Sequence, residues 1–302
     1  MGPGRPATRQ PTLVLEGFSY LECPRWHDGR LWVSDFYTEK VVAIDGRGGT
    51  EVVAEVPQQP SGLGFLPDGR LLIVSMRDHR VLVRDEEGRL AEHADLSGVV
   101  SGVLNDMVVD DRGRAWVGNF GFDLMGGAPL RYTTLTRVDA DGSVAVAAED
   151  LGFPNGMVIL PGGVLVVAET FAGRLTAFDI GEDGELSGRR VWAQFGQPPQ
   201  TDDVGEAVQR LEVAPDGICA DAEGAIWVAD AVHNRVLRVQ EGGGILDQID
   251  AGTGVFACML GGDDGRTLFL CAAPSFAEHE RRPVREAQLL AVGVEVPHAG
   301  LP

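Results

Sequence analysis

The sequence is nearly empty of lysine: Lys40 stands alone among 302 residues, and the remaining cations are arginines. Lysine and arginine together number 25 against 45 aspartates and glutamates, a formal charge of −20. An excess of that sign excludes an electrostatic grip on nucleic acid or on an anionic membrane, and leaves a small neutral or cationic molecule as the expected partner. Most of the acid is expected to be solvated surface. Cysteine is scarce as well. Cys23, Cys219, Cys258 and Cys271 show no C-x-x-C spacing, which excludes a zinc knuckle and a thioredoxin-like pair. Their apolar neighbours predict reduced, buried thiols, with Cys23 and Cys219 near enough to the candidate site to line a pocket. No apolar run is long enough to span a bilayer, and MGPGRPATRQPT at the start has neither a secretory nor an anchor pattern. Residues 1–12 therefore read as a flexible tail, 13–302 as the folded domain, and the cytoplasm as the expected location. No serine lies in a G-x-S-x-G element. The stretches GRGG and EGGGI lack the Lys and Ser/Thr of a phosphate loop and read as turns.

Glycine, by contrast, is plentiful at 41 residues. Much of it punctuates a repeat. DGRLWVSDFYTEKVVAID from Asp28, DGRLLIVSMRDHRVLVRD from Asp68 and RGRAWVGNFGFDL from Arg112 share a tight turn, a β-rich run, a polar loop and often a second run. GGVLVVAETFAGRLTAFDI from Gly162, EGAIWVADAVHNRVLRVQ from Glu223 and DGRTLFLCAAPS from Asp264 repeat the plan. β-Branched and aromatic runs bounded by D-G or G-G turns predict antiparallel hairpins. Six such units predict an all-β, six-bladed propeller in which each small sheet buries both faces against its neighbours. A two-sheet sandwich is the rival fold and does not account for a repeated unit. Helical spacing is confined to Asp202–Val213, where Val204, Val208 and Leu211 share one face of a short helix expected over the axial mouth.

Before each turn lies a second recurring segment: GFSYLECPRW, PSGLGFLPD, VLNDMVVDD, FPNGMVILP, APDGICADA and GVFACMLGG. These are the expected innermost strands, whose polar leading residues converge at one end of the axis: Glu22, Ser61, Asn105 with Asp106, Asn155 and Asp216. All are oxygen donors and none is histidine, a set suited to calcium, magnesium or manganese over zinc or copper. Taken singly, Asn155-Gly156 and Asp216-Gly217 are ordinary turn formers; their equivalent places in successive repeats point to a site.

These elements resemble the senescence-marker-protein and gluconolactonase (regucalcin-like) family, whose six-bladed propellers resemble those of diisopropyl fluorophosphatase and paraoxonase. The resemblance covers nearly the whole chain and rests on E-x-P at Glu22–Pro24, N-D at Asn105-Asp106, P-N-G at Pro154–Gly156 and P-D-G at Pro215–Gly217. It implies one divalent cation held by Glu22, Asn155 and Asp216, with calcium first and manganese, magnesium, zinc or iron as alternatives. Asn105 matches an asparagine that touches substrate in the lactonases and ligates calcium in the phosphatase relatives. One position departs: sugar-lactonase members often carry a substrate-binding arginine two residues before that asparagine, where this chain has Val103. The usual aldonolactone is therefore not the expected substrate. Phe120 and Phe122, with Phe18, Tyr20 and Tyr37 at the same mouth, suit a more apolar one.

The expected function is hydrolysis of a lactone or related ester, the cation polarising the carbonyl and either Asp216 or a metal-bound water serving as base. Asn105, Asn119, Val103 and Phe120 are the expected substrate contacts, Asp106 an orienting residue and His233 a weaker candidate. Two other functions fit the same scaffold: amine and aldehyde condensation, as in strictosidine-synthase-type propellers, and a calcium-binding propeller without catalysis.

Overall fold

The computed structural model describes residues 9–300. Six four-stranded antiparallel sheets follow one another along it. Blades 1 to 5 occupy residues 21–55, 60–95, 104–151, 154–194 and 215–250, each with its strands hydrogen-bonded in chain order from the axis outward. Blade 6 differs. Its three strands Val255–Gly261, Thr267–Ala272 and Ala287–Gly293 are completed on the outside by Thr12–Phe18, with Thr12 opposite Ala291 and Phe18 opposite Ala287. The innermost strands touch their neighbours all the way round, blade 6 returning to blade 1. This is the expected six-bladed propeller, and the sandwich is excluded.

The repeat folds this way because its second strand is apolar on both faces. In blades 2, 3 and 5 all five residues of that strand are buried. Trp116 and Trp227 occupy the same place in their repeats and pack against the following blade: Trp116 with Met157 and Leu165, Trp227 with Ala257 and Met259. Each such side chain contributes about 1.5–3 kcal/mol by leaving water.

Of the expected tail, residues 1–8 lie outside the described residues, Arg9 pairs with Asp247 of blade 5, and the outer strand already includes Thr12. The predicted helix is present as α1, Val204–Arg210, started by Asp203, whose carboxylate accepts the Glu206 N–H at 2.7 Å. A shorter helix, α2, spans Glu278–Arg281 between the second and third strands of blade 6. Among the described residues no helix is long and apolar enough to cross a membrane.

Candidate active site on the propeller axis

Every innermost strand carries a register irregularity near its start: Glu22/Arg25, Pro60/Leu63, Leu104/Met107, Pro154/Met157, Pro215/Ile218 and Val255/Ala257. A bulge re-aims the side chain beside it, and here it lies at the position of each predicted site residue. The glycines that follow Asn155 and Asp216 are packing positions and not turns. A Cβ on Gly156 would stand 2.5 Å from the Asp216 carbonyl oxygen, and one on Gly217 would stand 2.5 Å from the Ala257 Cβ. Glycine lets neighbouring inner strands close up until their leading side chains meet.

These strands form the floor of a cavity of about 490 Å³ at one end of the axis. Glu22, Asn105, Asn155 and Asp216, from blades 1, 3, 4 and 5, line it at 7, 6, 5 and 8% exposure. A run of hydrogen bonds orients the amides. The Ser61 hydroxyl donates to Asn105 Oδ1 at 3.3 Å, Asn105 Nδ2 donates to Asn155 Oδ1 at 2.8 Å, and Asn155 Nδ2 donates to the Thr170 hydroxyl at 3.1 Å. Thr170 in turn donates to the Pro215 carbonyl at 2.8 Å. Glu22 accepts from the Tyr20 hydroxyl and from the Cys23 N–H, each at 3.2 Å.

Burial opposes ionisation of the floor carboxyls. Burial, then the neighbouring charge of Asp106, pushes the Glu22 carboxyl up to about 8. Burial, then the charges of Glu22 and Asp106, pushes the Asp216 carboxyl well above its ordinary range. Asp106 points the other way and is answered by Arg25, whose Nη2 lies 2.8 Å from its Oδ1, both side chains 5% exposed. Burial still outweighs Arg25 and raises the Asp106 carboxyl. Arg25 also donates to the carbonyls of Pro24 and Met107, tying blade 1 to blade 3.

Two buried carboxylates and two oriented amides with no cationic side chain among them fit a hard divalent cation, which would answer the charge that burial opposes. Among the described residues no group of three or more His, Cys, Asp or Glu is arranged to hold a metal; the oxygen set here counts an amide, Asn155, as its third member.

Val103, Phe120, Phe122, Tyr20 and Tyr37 line the walls, as do Val204, Val208 and Leu211 at α1. Asn119 is not brought to the cavity. It is fully buried inside blade 3, its Oδ1 accepting from Thr133 at 2.7 Å and its Nδ2 donating to the Thr134 carbonyl at 2.8 Å, so its amide is already used. His233 is half-exposed and turned to Asp230 at 3.0 Å, away from the lining. Phe18 packs between blade clusters, also outside the lining. Neither thiol lines the cavity: Cys23 lies 3.5 Å from the Ser61 hydroxyl beneath the floor, and Cys219 faces Cys258 at 3.9 Å between blades. Ser61 itself is fully buried and acts on the floor only through Asn105.

Sequence reasoning missed Phe36, Phe153, Phe171 and Phe256 in the walls, and Arg25 below the floor. A signal for Phe171 was available. It holds the same place as Tyr37, the second residue of a one-turn 3-10 helix that follows the second strand and ends in a left-handed residue, Gly173 or Glu39.

A family profile described as "SMP-30/Gluconolactonase/LRE-like region" matches residues 21–274. The 6-deoxy-6-sulfogluconolactonase of Pseudomonas putida is 28% identical over 273 residues, covering 88% of this chain and 85% of its own. Pentonolactonase XacC of Haloferax volcanii is 27% identical over 266 residues, covering 83% and 81%. The crystal structure of a calcium-binding protein, regucalcin, from Agrobacterium tumefaciens superposes with a TM-score of 0.78 at 21% identity, covering 98% of each chain.

Proposed function

Because this chain belongs to the SMP-30/gluconolactonase/LRE-like family, we propose that it is a metal-dependent lactonase acting on a lactone, or related ester, other than a sugar lactone. The observation that carries this reading is the convergence of Glu22, Asn105, Asn155 and Asp216 from four blades at the closed end of one cavity. Glu22, Asn155 and Asp216 would hold the cation, and calcium suits a set made wholly of oxygens. When bound, the cation supplies Lewis-acid polarisation of the lactone carbonyl.

The chain's own groups do the rest. The hydrogen bond to Asn155 uses one N–H of Asn105 and leaves the second N–H of that amide to donate to the substrate carbonyl oxygen, on which charge develops. Asp216 accepts the proton of the water that adds to the carbonyl carbon. The ring C–O bond then breaks, the proton passes to the departing ring oxygen, and a hydroxy acid is released. The surrounding apolar side chains exclude bulk water and strengthen each of these interactions.

The test is a lactone panel assayed with protein stripped by chelator and then resupplied with calcium or manganese, alongside elemental mass spectrometry of the purified protein. About one divalent ion per chain and hydrolysis that returns with the ion are expected. Hydrolysis unaffected by stripping would sink the metal requirement.

A further inference from the structure

We propose, resting on the lactonase reading above, that the substrate is a lactone fused to an apolar ring, of the aryl-fused δ-lactone class. Opposite walls of the cavity carry this inference. Phe120, Phe122, Phe153 and Phe171 come from blades 3 and 4 and touch one another, with Phe120 and Phe153 centroids 4.5 Å apart and Phe153 and Phe171 at 5.8 Å. Across the ring, blades 6 and 1 supply Tyr20, Phe36, Tyr37 and Phe256, with Tyr20 5.1 Å from Phe256 and 5.4 Å from Phe36. A six-bladed ring places blades 3 and 4 opposite 6 and 1, so the two aromatic groups face each other over the oxygen floor. Val204, Val208 and Leu211 of the α1 segment close one flank, and Val103 and Met76 the other.

The polar groups of these walls are already engaged. The Tyr20 hydroxyl donates to Glu22, and the Tyr37 hydroxyl donates to the Phe276 carbonyl at 2.8 Å. Gln59 is held between Met76 and Arg77, Arg77 pairs with Glu278 at 2.7 Å, and Ser101 donates to the Gly121 carbonyl. His79, half-buried, and Asp123, exposed, stand at the rim. A polyhydroxylated ring lowered onto the floor would therefore press its hydroxyls against aromatic faces with few partners, at the cost of their hydration. An apolar fused ring would bury its faces between the same rings. Its carbonyl would still reach Asn105 and the metal-binding set.

The reaction balances with water alone. Water oxygen joins the carbonyl carbon, the bond from that carbon to the aryl oxygen breaks, and the water proton ends on the aryl oxygen. The product is a phenol bearing a carboxylic acid side chain.

The experiment uses the full chain supplied with calcium and compares dihydrocoumarin, δ-valerolactone and δ-gluconolactone. A kcat/KM for dihydrocoumarin at least roughly tenfold above that for δ-gluconolactone is expected, the gap being of the size a pocket achieves by matching or mismatching polarity. Phe153→Ser and Val103→Arg, two independent changes of wall polarity, should each lower the ratio of dihydrocoumarin to δ-valerolactone turnover, chiefly through KM. Preference for δ-gluconolactone would overturn the aryl-fused class and leave the lactonase reading standing. If no lactone is turned over, the lactonase reading fails, and calorimetry with β-tetralone, the carbocyclic analogue that cannot be hydrolysed, decides the wall's role separately. Binding weakened by both variants upholds an apolar-ring site; no binding overturns it.

Discussion

The floor and the walls of the cavity come from different parts of the same repeat. Floor side chains stand at one recurring place, beside the bulge of an inner strand, braced by a sheet outside and by glycine-mediated contact with the next blade. Wall side chains come mainly from strand ends and from connections of unequal length, including the segment that carries α1 and the stretch after blade 3's second strand. The proposed chemistry is thus placed on the part of the fold that must repeat for the ring to close. Selectivity is written in the part that is free to differ.

The floor is the more sensitive of the two regions. Asp216→Asn keeps the shape and removes the proposed base, and is expected to lower lactone hydrolysis roughly 10²–10⁴-fold with the circular-dichroism spectrum unchanged; full activity in that variant would remove Asp216 from the chemistry. Beneath the floor, Arg25→Met leaves Asp106 buried and unanswered. A loss of about 3–5 kcal/mol is expected in urea unfolding, with Arg25→Met combined with Asp106→Leu regaining much of it. If the double variant is no more stable than the single one, the pair does not act as a unit.

The floor also responds to pH. Glu22 has its carboxyl raised from 4.5 to about 8, so its contribution to stability is present below about 4.5 and is lost as pH rises through about 8. The metal-free protein should therefore melt at progressively lower temperature across that window, and Glu22→Gln should flatten the slope, as should added calcium. An equal slope in wild type and variant would contradict the assignment. The smallest effect is expected at the rim, where Glu278 bridges Arg77 and Arg282 with side chains 31, 42 and 40% exposed. Glu278→Gln should cost roughly 0–1 kcal/mol in thermal unfolding, and a larger loss would mean that this latch braces the walls.

The same division decided what could be seen in the chain before folding. The inner strands and their leading oxygens were legible because six equivalent places reinforce one another, turning Asn155-Gly156 from a common turn former into a strand element. Val204, Val208 and Leu211 were legible because helical spacing is rare in this chain. Asn119 was misplaced because an asparagine at a strand end looks free, whereas Thr133 and Thr134 on the adjoining strand use its amide. Arg25 was missed because its partner lies two blades away, and no local pattern reports a contact across the axis. Phe153 and Phe256 were missed because an aromatic next to a strand reads as core unless the curvature of the ring is known.

The outermost strand of blade 6 carries a consequence for synthesis. Among the described strands, Thr12–Phe18 leaves the ribosome before all the others and its partner, Ala287–Gly293, after them. While the strands of blades 1 to 5 are made the early segment has no edge to pair with, whereas those blades can form from neighbouring sequence. The last joint to be made is therefore the one with the largest loop to close, which makes it the slow step expected for so distant a strand pairing. Until it forms, blade 6 presents the bare edge of Ala287–Gly293 to any other unpaired strand nearby.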